Sequence, residues 1–347
     1  MLYLGLDVHC KWFTVNGFEK TTGECFHLKR VNNEPEAIRE AFTQLPTPRC
    51  GALEAGTNAL ALHRVLAPYF EKLIIVAPNK MWDRRRDPSA KTDSRDAFAL
   101  AEALAEGRLR GIYRPDQVLQ VGRSLVRGRL QVTRDINRLV NQLYAVIRSY
   151  GYLVQKKALT KKGRAWLGEV TLPEEAATVL KYMLERLDLL QTQQRQLEAE
   201  ITRWAAADPI CRRLQTIPNV GTFTALVLRV EIGDIRRFKS ADALINYTGL
   251  IPRVYKSSER VRYGRLTKAG NALLRYVAVL FAQNVTRNRQ DTPFKRKYYR
   301  LCHTHDRNEL KIILARDFLA VVHSMWAKES NWQYPRPAVV RETVSVA

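Results

Sequence analysis

Lys91-Thr-Asp-Ser-Arg-Asp-Ala97 decides how the first third of the chain is interpreted. This stretch follows Asp87-Pro-Ser89 and opens a run typical of a helix, from Ala97 to Glu106. Its two acids, Asp93 and Asp96, are three residues apart, and that spacing places both carboxylates on one face of a helix. Alone, the pattern indicates a capped helix N-terminus, where acidic side chains are favoured by the helix dipole.

Two further acids lie upstream, each at the end of an apolar strand. Asp7 belongs to the strand predicted at Leu2–Val8, and Glu54 ends the strand predicted at residues 50–54. The other predicted elements of this region are strands at Trp12–Phe18, Cys25–Val31 and Leu73–Ala77 and helices at Pro35–Leu45 and Ala59–Phe70. In this β-β-β-α-β-α-β-α order the first and fourth strands can be neighbours, so that their acids meet at one edge of the sheet. The last helix then brings Asp93 and Asp96 to that edge.

Such an acidic quartet predicts a metal site. Four carboxylates so close together would repel each other unless divalent cations neutralise them. Hard oxygen ligands suit Mg²⁺, and also Mn²⁺. Two such ions can clamp the attacking and leaving oxygens of a phosphodiester. We therefore expect Asp7, Glu54, Asp93 and Asp96 to bind Mg²⁺ or Mn²⁺ and to serve in catalysis on nucleic acid.

The net charge points to the same class of partner. The chain has 57 Lys and Arg residues against 34 Asp and Glu residues, a formal net charge of +23. This excess indicates a polyanionic partner, with nucleic acid favoured over a membrane surface, since no basic amphipathic anchor is evident. The longest apolar runs, such as Val277–Ala282, are too short to span a bilayer, so no membrane partner is expected.

Five scattered cysteines indicate free thiols. Their number is odd and none forms a C-x-x-C pair, a pattern that favours a reducing compartment and argues against a zinc module. At the N-terminus, Asp7 interrupts any apolar core of a signal peptide. We expect a soluble, cytoplasmic protein.

Two long helices are predicted in the middle of the chain. The second has an apolar seam in which gaps of three and four residues alternate, at Leu180, Met183, Leu187, Leu190, Gln194, Leu197, Ile201 and Trp204. This spacing is typical of a coiled coil, with Gln194 as its one polar position. The seam predicts a homo-oligomer, a dimer or tetramer, but an intramolecular helical hairpin explains it equally well. The basic segment 156–164 between the helices is expected to be a solvated loop.

The last third of the chain carries most of the basic excess. Residues 216–225 resemble a helix-hairpin-helix turn, in which backbone N–H groups bind a phosphate. Residues 251–300 contain thirteen Lys and Arg residues against two acids, with five tyrosines interleaved, a composition that predicts a DNA-backbone surface. The cations that we expect to contact nucleic acid are Lys256, Arg260, Arg262, Arg265, Lys268 and Arg275.

Ser257 and Ser258 lie within this basic region, in a segment expected to be a loop. One interpretation is a polar loop that merely contacts phosphate. The other is a nucleophile activated by metal and arginines. The residues by themselves leave both open.

Seven short motifs stand in order along the chain: Gly5-Leu-Asp7, Leu53-Glu-Ala55, Lys91-Thr-Asp-Ser-Arg-Asp-Ala97, Ile217-Pro-Asn-Val-Gly221, Tyr247-Thr-Gly-Leu-Ile-Pro252, Tyr255-Lys-Ser257 and Gly264-Arg-Leu-Thr-Lys-Ala-Gly270. In this order the chain resembles the DEDD-type transposases of the insertion-sequence one-hundred-and-ten family, which are also similar to Piv-type DNA invertases. The resemblance implies a RuvC-like domain of RNase H fold, a coiled-coil linker and a mostly α-helical transposase domain.

The resemblance also implies roles for particular residues and partners. The acidic quartet binds the metal, and a serine of the second domain attacks DNA. By its place two residues after Tyr255, that serine is Ser257. Ser258 stands where the family commonly has glycine, so the choice between the two serines stays open. A structured guide RNA from the element bridges target and donor DNA.

These observations predict a RuvC-like domain at 1–115, a long-helix coiled-coil linker at 116–207, a transposase domain with the catalytic serine and a helix-hairpin-helix-like motif at 208–328, and a loose tail at 329–347. The predicted function is a DNA transposase or recombinase of a bacterial insertion sequence, dependent on Mg²⁺ and on a serine nucleophile. The alternatives are a RuvC-like hydrolytic nuclease, such as a junction resolvase, without a covalent intermediate, and a nucleic-acid-binding protein without catalysis.

Overall fold

The computed structural model describes residues 1–77, 92–154, 158–257, 260–287 and 290–333 of the 347-residue chain. The chain divides into two compact units, residues 1–114 and residues 115–347. Among the helices in these ranges, none is long and apolar enough to cross a lipid bilayer.

The first unit is a mixed α/β structure. Its strands are β1 (Leu2–Val8), β2 (Trp12–Glu19), β3 (Cys25–Asn32), β4 (Arg49–Glu54) and β5 (Lys72–Val76), and its helices are α1 (Pro35–Thr43), α2 (Ala59–Leu66) and α3 (Asp93–Ala105). The strands form one sheet in the order β3-β2-β1-β4-β5. β1 is antiparallel to β2 and parallel to β4. The predicted order of elements is confirmed, and the arrangement fits the predicted RNase H-like class.

The sheet is covered differently on its two faces. Leu2, Leu4 and Leu6 of β1 are almost completely buried in a core that includes Ile38 and Phe42 of α1. Because successive strand residues point to opposite faces, Gly5 and Asp7 lie on the other face of β1. That second face is covered by α3, and this packing decides where the acids of α3 lie.

The second unit begins with a pair of long helices, α4 (Gln117–Ser149) and α6 (Glu174–Ala207), with α5 (Lys161–Glu169) between them. α4 and α6 are antiparallel, as two polar contacts near one end indicate: Arg129 pairs with Glu198 at 2.8 Å, and Gln194 donates to the hydroxyl of Thr133 at 3.0 Å. Further along, Leu187 lies in an apolar cluster with Leu139. The apolar seam of α6 therefore packs against α4 of the same chain, and subunit pairing through it stays a prediction.

The rest of the second unit is mostly helical. Its elements are α7 (Pro209–Leu214), α8 (Thr222–Ile232), α9 (Ala241–Thr248), α10 (Ala272–Asn284), α11 (Pro293–Leu301), α12 (Arg307–Ala327) and the antiparallel strands β6 (Pro252–Ser257) and β7 (Arg260–Leu266). One apolar core contains Val126 of α4, Ile201 of α6, Leu226 of α8 and Phe318 of α12. The ends of the long helices thus fold together with the elements that follow them.

Two basic segments differ from the loops that we expected. Residues 161–164 belong to α5, because the hydroxyl of Thr160 accepts a hydrogen bond from the N–H of Gly163 at 3.0 Å and so caps the helix. The segment around Ser257 is a β-hairpin, since aromatic and β-branched residues alternate with its cations and favour extended backbone. Ser258 lies outside the described residues.

The segment expected to be a loose tail begins with ordered contacts. The ring of Trp332 stacks on Phe294 with centroids 5.7 Å apart. The N–H of Trp332 donates to the hydroxyl of Thr216 at 2.8 Å. Residues 334–347 lie outside the described residues.

Candidate active site

α3 lies directly against β1 because β1 has no side chain at Gly5. A Cβ atom at this position would lie 1.8 Å from the carbonyl oxygen of Ala97 and 2.7 Å from the Cβ of Leu100. Atoms in contact are normally about 3.5–4.0 Å apart, so only glycine permits this approach. Asp7 is two residues further along the same face of β1, and the first turn of α3 reaches it.

Hydrogen bonds hold the N-terminus of α3 in place. Thr92 caps the helix, since its hydroxyl accepts from the N–H of Arg95 at 3.3 Å. The buried amide of Asn16 in β2 donates to the carbonyl oxygen of Ser94 at 2.5 Å and to its hydroxyl at 2.6 Å. His27 in turn contacts the side-chain oxygen of Asn16. The helical turn that carries the two acids is therefore tied to the sheet.

Asp7 and Asp93 converge at the end of β1, together with His9. Nε2 of His9 lies 3.4 Å from Oδ2 of Asp7 and 3.3 Å from Oδ2 of Asp93. One potential ligand atom from each residue lies within 4.8 Å of the other two. The Asp7 side chain is 19% exposed and that of Asp93 is 50% exposed. The cluster therefore opens to solvent on the side of Asp93.

Glu54 and Asp96 lie beside this cluster without belonging to it. Leu53 pairs with Leu6 in the parallel ladder, so Glu54 occupies the position on β4 that corresponds to Asp7 on β1. Asp96 lies in the first turn of α3. Within the described residues, the group of ligand atoms within 4.8 Å of one another contains neither of them. The shared metal site of four carboxylates stays a prediction, which the convergence of Asp7 and Asp93 supports.

His9 was not among the predicted site residues. A signal for it was present in the sequence, because Asp7 and His9 are two residues apart at a strand end and residues at that spacing point to one side. What the spacing could not show is that the chain turns immediately afterwards. The N–H of His9 donates to the carbonyl oxygen of Trp12 at 2.9 Å, and the two rings lie 3.9 Å apart.

Two asparagines hold the turn after β1. The side-chain amide of Asn33 donates to the carbonyl oxygens of His9 and Cys10 at 3.2 and 3.1 Å. The amide of Asn58 donates to the carbonyl oxygen of Cys10 at 3.2 Å. Since Asn33 follows β3 and Asn58 precedes α2, the turn is bound from two different parts of the unit.

The second part of the predicted chemistry lies on the β6–β7 hairpin. Ser257 is the last residue of β6, and its partner in the ladder is Arg260 of β7. The side chains of Lys256, Ser257 and Arg260 lie outside the described part of the structure.

Two glycines lie at the base of this hairpin and allow close backbone packing there. Gly249 has a φ of 71° and ends α9, and Gly270 has a φ of 144° and precedes α10. A Cβ at Gly270 would lie 2.3 Å from the carbonyl oxygen of Tyr247, which accepts from the N–H of Asn271 at 2.8 Å. The hairpin therefore leaves and re-enters the helical core at two backbone segments in direct contact.

A buried carboxylate ties this base to the long helix α4. The side chain of Glu231 is 3% exposed. It accepts from the amide of Asn271 at 2.7 Å and pairs with Arg127 at 3.3 Å and Arg123 at 3.6 Å. Asn271 also caps α10. The position of the hairpin is thus coupled to α4 through one charged network.

The predicted nucleic-acid contacts divide into two kinds. Arg262, Arg265 and Lys268 are exposed and available to a polyanion. Arg275 is half-buried, and its guanidinium donates to the carbonyl oxygens of Thr248 at 2.7 Å and Lys268 at 3.1 Å. In the structure Arg275 holds the backbone at the base of the hairpin, and its role in nucleic-acid binding stays a prediction.

The turn between α7 and α8 has features of a phosphate-binding turn. Asn219 has a left-handed φ of 68°, and Gly221 is the N-cap of α8 without a side-chain cap. A cavity of about 530 Å³ is lined by residues 215–221 and Gln290. This geometry supports the predicted helix-hairpin-helix-like motif, which stays a prediction.

Two models of known protein families match parts of the chain. Residues 4–151 match a family model of transposases of the DEDD IS110 type. Residues 211–300 match the model described as the transposase IS116/IS110/IS902 family. The first match covers the acids of β1, β4 and α3, and the second covers the α7–α8 turn and the β6–β7 hairpin.

Individual relatives agree with these matches. The chain is 29% identical to a putative transposase of Sinorhizobium fredii over 284 residues, which cover 80% of this chain and 70% of the relative. It is 25% identical to the transposase for insertion sequence element IS1111A of Coxiella burnetii over 339 residues, 95% of this chain and 91% of the relative. A probable family 20 transposase of Pseudomonas aeruginosa is 25% identical over 82% of this chain and 84% of its own length.

Proposed function

Since this chain is a DNA transposase of the IS110 family, we propose that it moves an insertion sequence by cutting and rejoining DNA through a serine-linked intermediate. The acids of the first unit supply a metal-dependent site, and Ser257 of the second unit supplies the nucleophile. We infer that the DNA it moves is an insertion sequence because two relatives are named as transposases for insertion sequence elements.

The observation that carries the proposal is the convergence of Asp7 and Asp93. They come from a strand and a helix separated by more than eighty residues of sequence, and the close packing at Gly5 brings them to one point. Acids gathered in this way, half open to solvent in a chain of net charge +23, suit a polyanionic substrate that arrives with its cation.

We assign Mg²⁺, with Mn²⁺ as an alternative, to Asp7, Glu54, Asp93 and Asp96. Carboxylate oxygens are ligands that both ions accept, and a site open to solvent suits a cation that keeps some of its water. When bound, such an ion neutralises charge on a phosphoryl oxygen and stabilises the leaving oxygen. The protein residues themselves fix where that ion can lie, through the hydrogen bonds that hold α3 on the sheet.

The serine step is a transesterification. A bond forms between the Oγ of Ser257 and the phosphorus of a DNA phosphodiester, one backbone P–O bond breaks, and the serine proton ends on the DNA hydroxyl that leaves. A hydroxyl of another DNA strand reverses the step and rejoins the backbone. Serine is a weak nucleophile at neutral pH and needs activation, and the nearby cations stabilise the developing charge.

The partners follow from the charge distribution. The exposed cations Arg262, Arg265 and Lys268 suit a DNA backbone, and the α7–α8 turn suits a phosphate. We further propose a structured guide RNA from the same element as the reader of target and donor sequence, and a homo-oligomer as the active form.

The test is a search for a covalent adduct. Full-length protein is incubated with Mg²⁺, the flanking DNA of its element and RNA transcribed from the element's end, and denaturing gels are used to detect protein bound to labelled DNA. The wild type should form an adduct, and Ser257→Ala should not. Asp93→Asn should also abolish it while DNA binding stays within about twofold, because the variant loses a metal ligand and keeps the basic surface.

Ser258→Ala is the matched control, since it removes the neighbouring hydroxyl. An adduct that depends on Ser258 would reassign the nucleophile. Cleavage without any adduct would replace the proposal with a hydrolytic nuclease, and binding without cleavage would replace it with a protein that only binds nucleic acid.

Mixing experiments show whether one chain supplies both parts of the chemistry. Ser257→Ala and Asp7→Ala proteins are each expected to be inactive. If their mixture regains part of the activity, acid and serine come from different subunits. No recovery from verified mixed oligomers would place both functions within one chain.

A further inference from the structure

We propose that His9 is a direct nitrogen ligand of the divalent cation held by Asp7 and Asp93, which makes the centre a mixed nitrogen–oxygen site. This inference rests on the proposed metal-dependent function. It adds to the four predicted carboxylates a residue of different chemistry and gives the site a different preference among metal ions.

The first argument is the distance from His9 to its two neighbours. Nε2 of His9 lies 3.4 Å from Oδ2 of Asp7 and 3.3 Å from Oδ2 of Asp93. Hydrogen bonds between charged groups are shorter, about 2.7–2.9 Å. Two adjacent ligands of an octahedral ion with bonds of about 2.1 Å are roughly 3 Å apart. The two distances from Nε2 are thus longer than those of a hydrogen-bonded ion pair and leave room for an ion between the three side chains.

The second argument is that the Nε2 atom of His9 lacks a hydrogen bond. Nε2 of His9 is buried, and it has no hydrogen-bond partner among the described residues. A buried polar atom without a hydrogen bond is costly. An ion between Nε2 and the two aspartates would satisfy it.

The third argument is that the imidazole, 37% exposed, is held by a ring contact and by the backbone of its turn. Its ring lies 3.9 Å from that of Trp12, over which the guanidinium of Arg30 lies at 5.4 Å. The amides of Asn33 and Asn58 bind the two carbonyl groups of the turn. Ligands fixed by their surroundings bind a metal more tightly than flexible ones.

A nitrogen ligand changes the metal preference of the site. Carboxylates and water suit Mg²⁺, whereas imidazole favours transition-metal ions. We therefore expect the wild-type site to bind Mn²⁺ more tightly than Mg²⁺, and we expect this preference to shrink when the nitrogen is removed.

The experiment measures Mn²⁺ directly. Full-length protein, alone and with a DNA duplex, is titrated with Mn²⁺, and free ion is quantified by electron paramagnetic resonance. Pulsed resonance then detects coupling of bound Mn²⁺ to ¹⁴N. The wild type should show this coupling. His9→Phe keeps a ring that can lie against Trp12 but has no nitrogen, so it should lose the coupling and bind Mn²⁺ about tenfold more weakly or worse, with a smaller loss for Mg²⁺.

His303→Phe, at an exposed histidine of the second unit, is the control and should leave both readouts unchanged. Asp7→Asn distinguishes a failure of the His9 proposal from a failure of the proposed metal site itself. Suppose that Mn²⁺ binding depends on Asp7, but the wild type shows no ¹⁴N coupling or His9→Phe keeps it. The proposal for His9 is then wrong and the acidic site stands. If Mn²⁺ binding is unaffected by Asp7→Asn, the proposed metal site itself is wrong.

Discussion

Gly5→Ala is the sharpest test of how the first unit builds its site. The added methyl carbon would lie 1.8 Å from the carbonyl oxygen of Ala97, 2.8 Å from its carbonyl carbon and 2.7 Å from the Cβ of Leu100. Two of these three atoms are helix backbone, which no side-chain rotation can move away. Since ordinary contacts are about 3.5 Å, α3 has to withdraw from β1 by roughly 1.5 Å.

That displacement has two measurable consequences. Overpacking of this kind costs about 1–3 kcal/mol, and the backbone clash places Gly5→Ala at or above the upper end of that range. For a unit of this size the loss lowers the melting temperature by about 10 °C or more. A shift of the helix by roughly 1.5 Å is also large against metal–oxygen bonds of about 2.0–2.6 Å, so Asp7 and Asp93 should no longer share an ion.

The assay combines thermal unfolding, followed by circular dichroism, with Mn²⁺ titration at a temperature where the variant is folded. Gly56→Ala is the control, because a Cβ at that position meets no atom within 4 Å, and it should match the wild type in both measurements. DNA binding through the second unit should persist in both variants. A Gly5→Ala protein with wild-type stability and Mn²⁺ affinity would refute the idea that direct helix–strand contact positions the acids.

Three further predictions concern stability. Leu187→Asp places a charge at a fully buried position of α6 and should cost at least about 3 kcal/mol of unfolding free energy, whereas Leu189→Asp, at a position 58% exposed, should be nearly neutral; urea titration compares them. Glu231→Ala removes the buried carboxylate that accepts from Asn271 and pairs with Arg123, and it should cost about 1–3 kcal/mol, against about 0–1 kcal/mol for Glu200→Ala, whose pair with Arg203 is exposed. Burial lowers the pKa of the His63 imidazole below its ordinary value of 6.5, so the unfolded chain takes up a proton that the folded protein excludes. Stability should therefore fall as pH drops below about 6.5, and His63→Gln should flatten the dependence of the urea midpoint on pH.

Much of the first unit could be predicted from the sequence. Strands and the helices between them follow from local periodicity, because the spacing of apolar residues directly reflects which face is buried. The position of Glu54 opposite Asp7 follows from the same reasoning, since both end apolar strands and parallel neighbours share one edge. The second long helix could also be predicted, from the three–four spacing of its apolar residues.

The sequence alone could not show which helix packs against the apolar seam of α6. The seam of α6 has the same spacing whether its partner is α4 or another subunit, and only the packed chain shows that Leu187 lies against Leu139 of α4. The hairpin around Ser257 was missed because its cations indicate a solvated segment, while its pairing depends on a partner strand that local composition does not reveal.

The residues of the proposed metal site can be considered in the same way. The residue types, the net charge and the order of the motifs along the chain predict a protein that acts on nucleic acid with a set of acids. Only the tertiary structure shows which side chains lie close together. Gly5 allows α3 to pack directly on the sheet. The turn held by Asn33 and Asn58 brings His9 close to the carboxylates of Asp7 and Asp93. The physical reason is that a sequence pattern specifies which face of an element is buried, whereas the distance between two side chains depends on how closely their elements pack and where the chain turns.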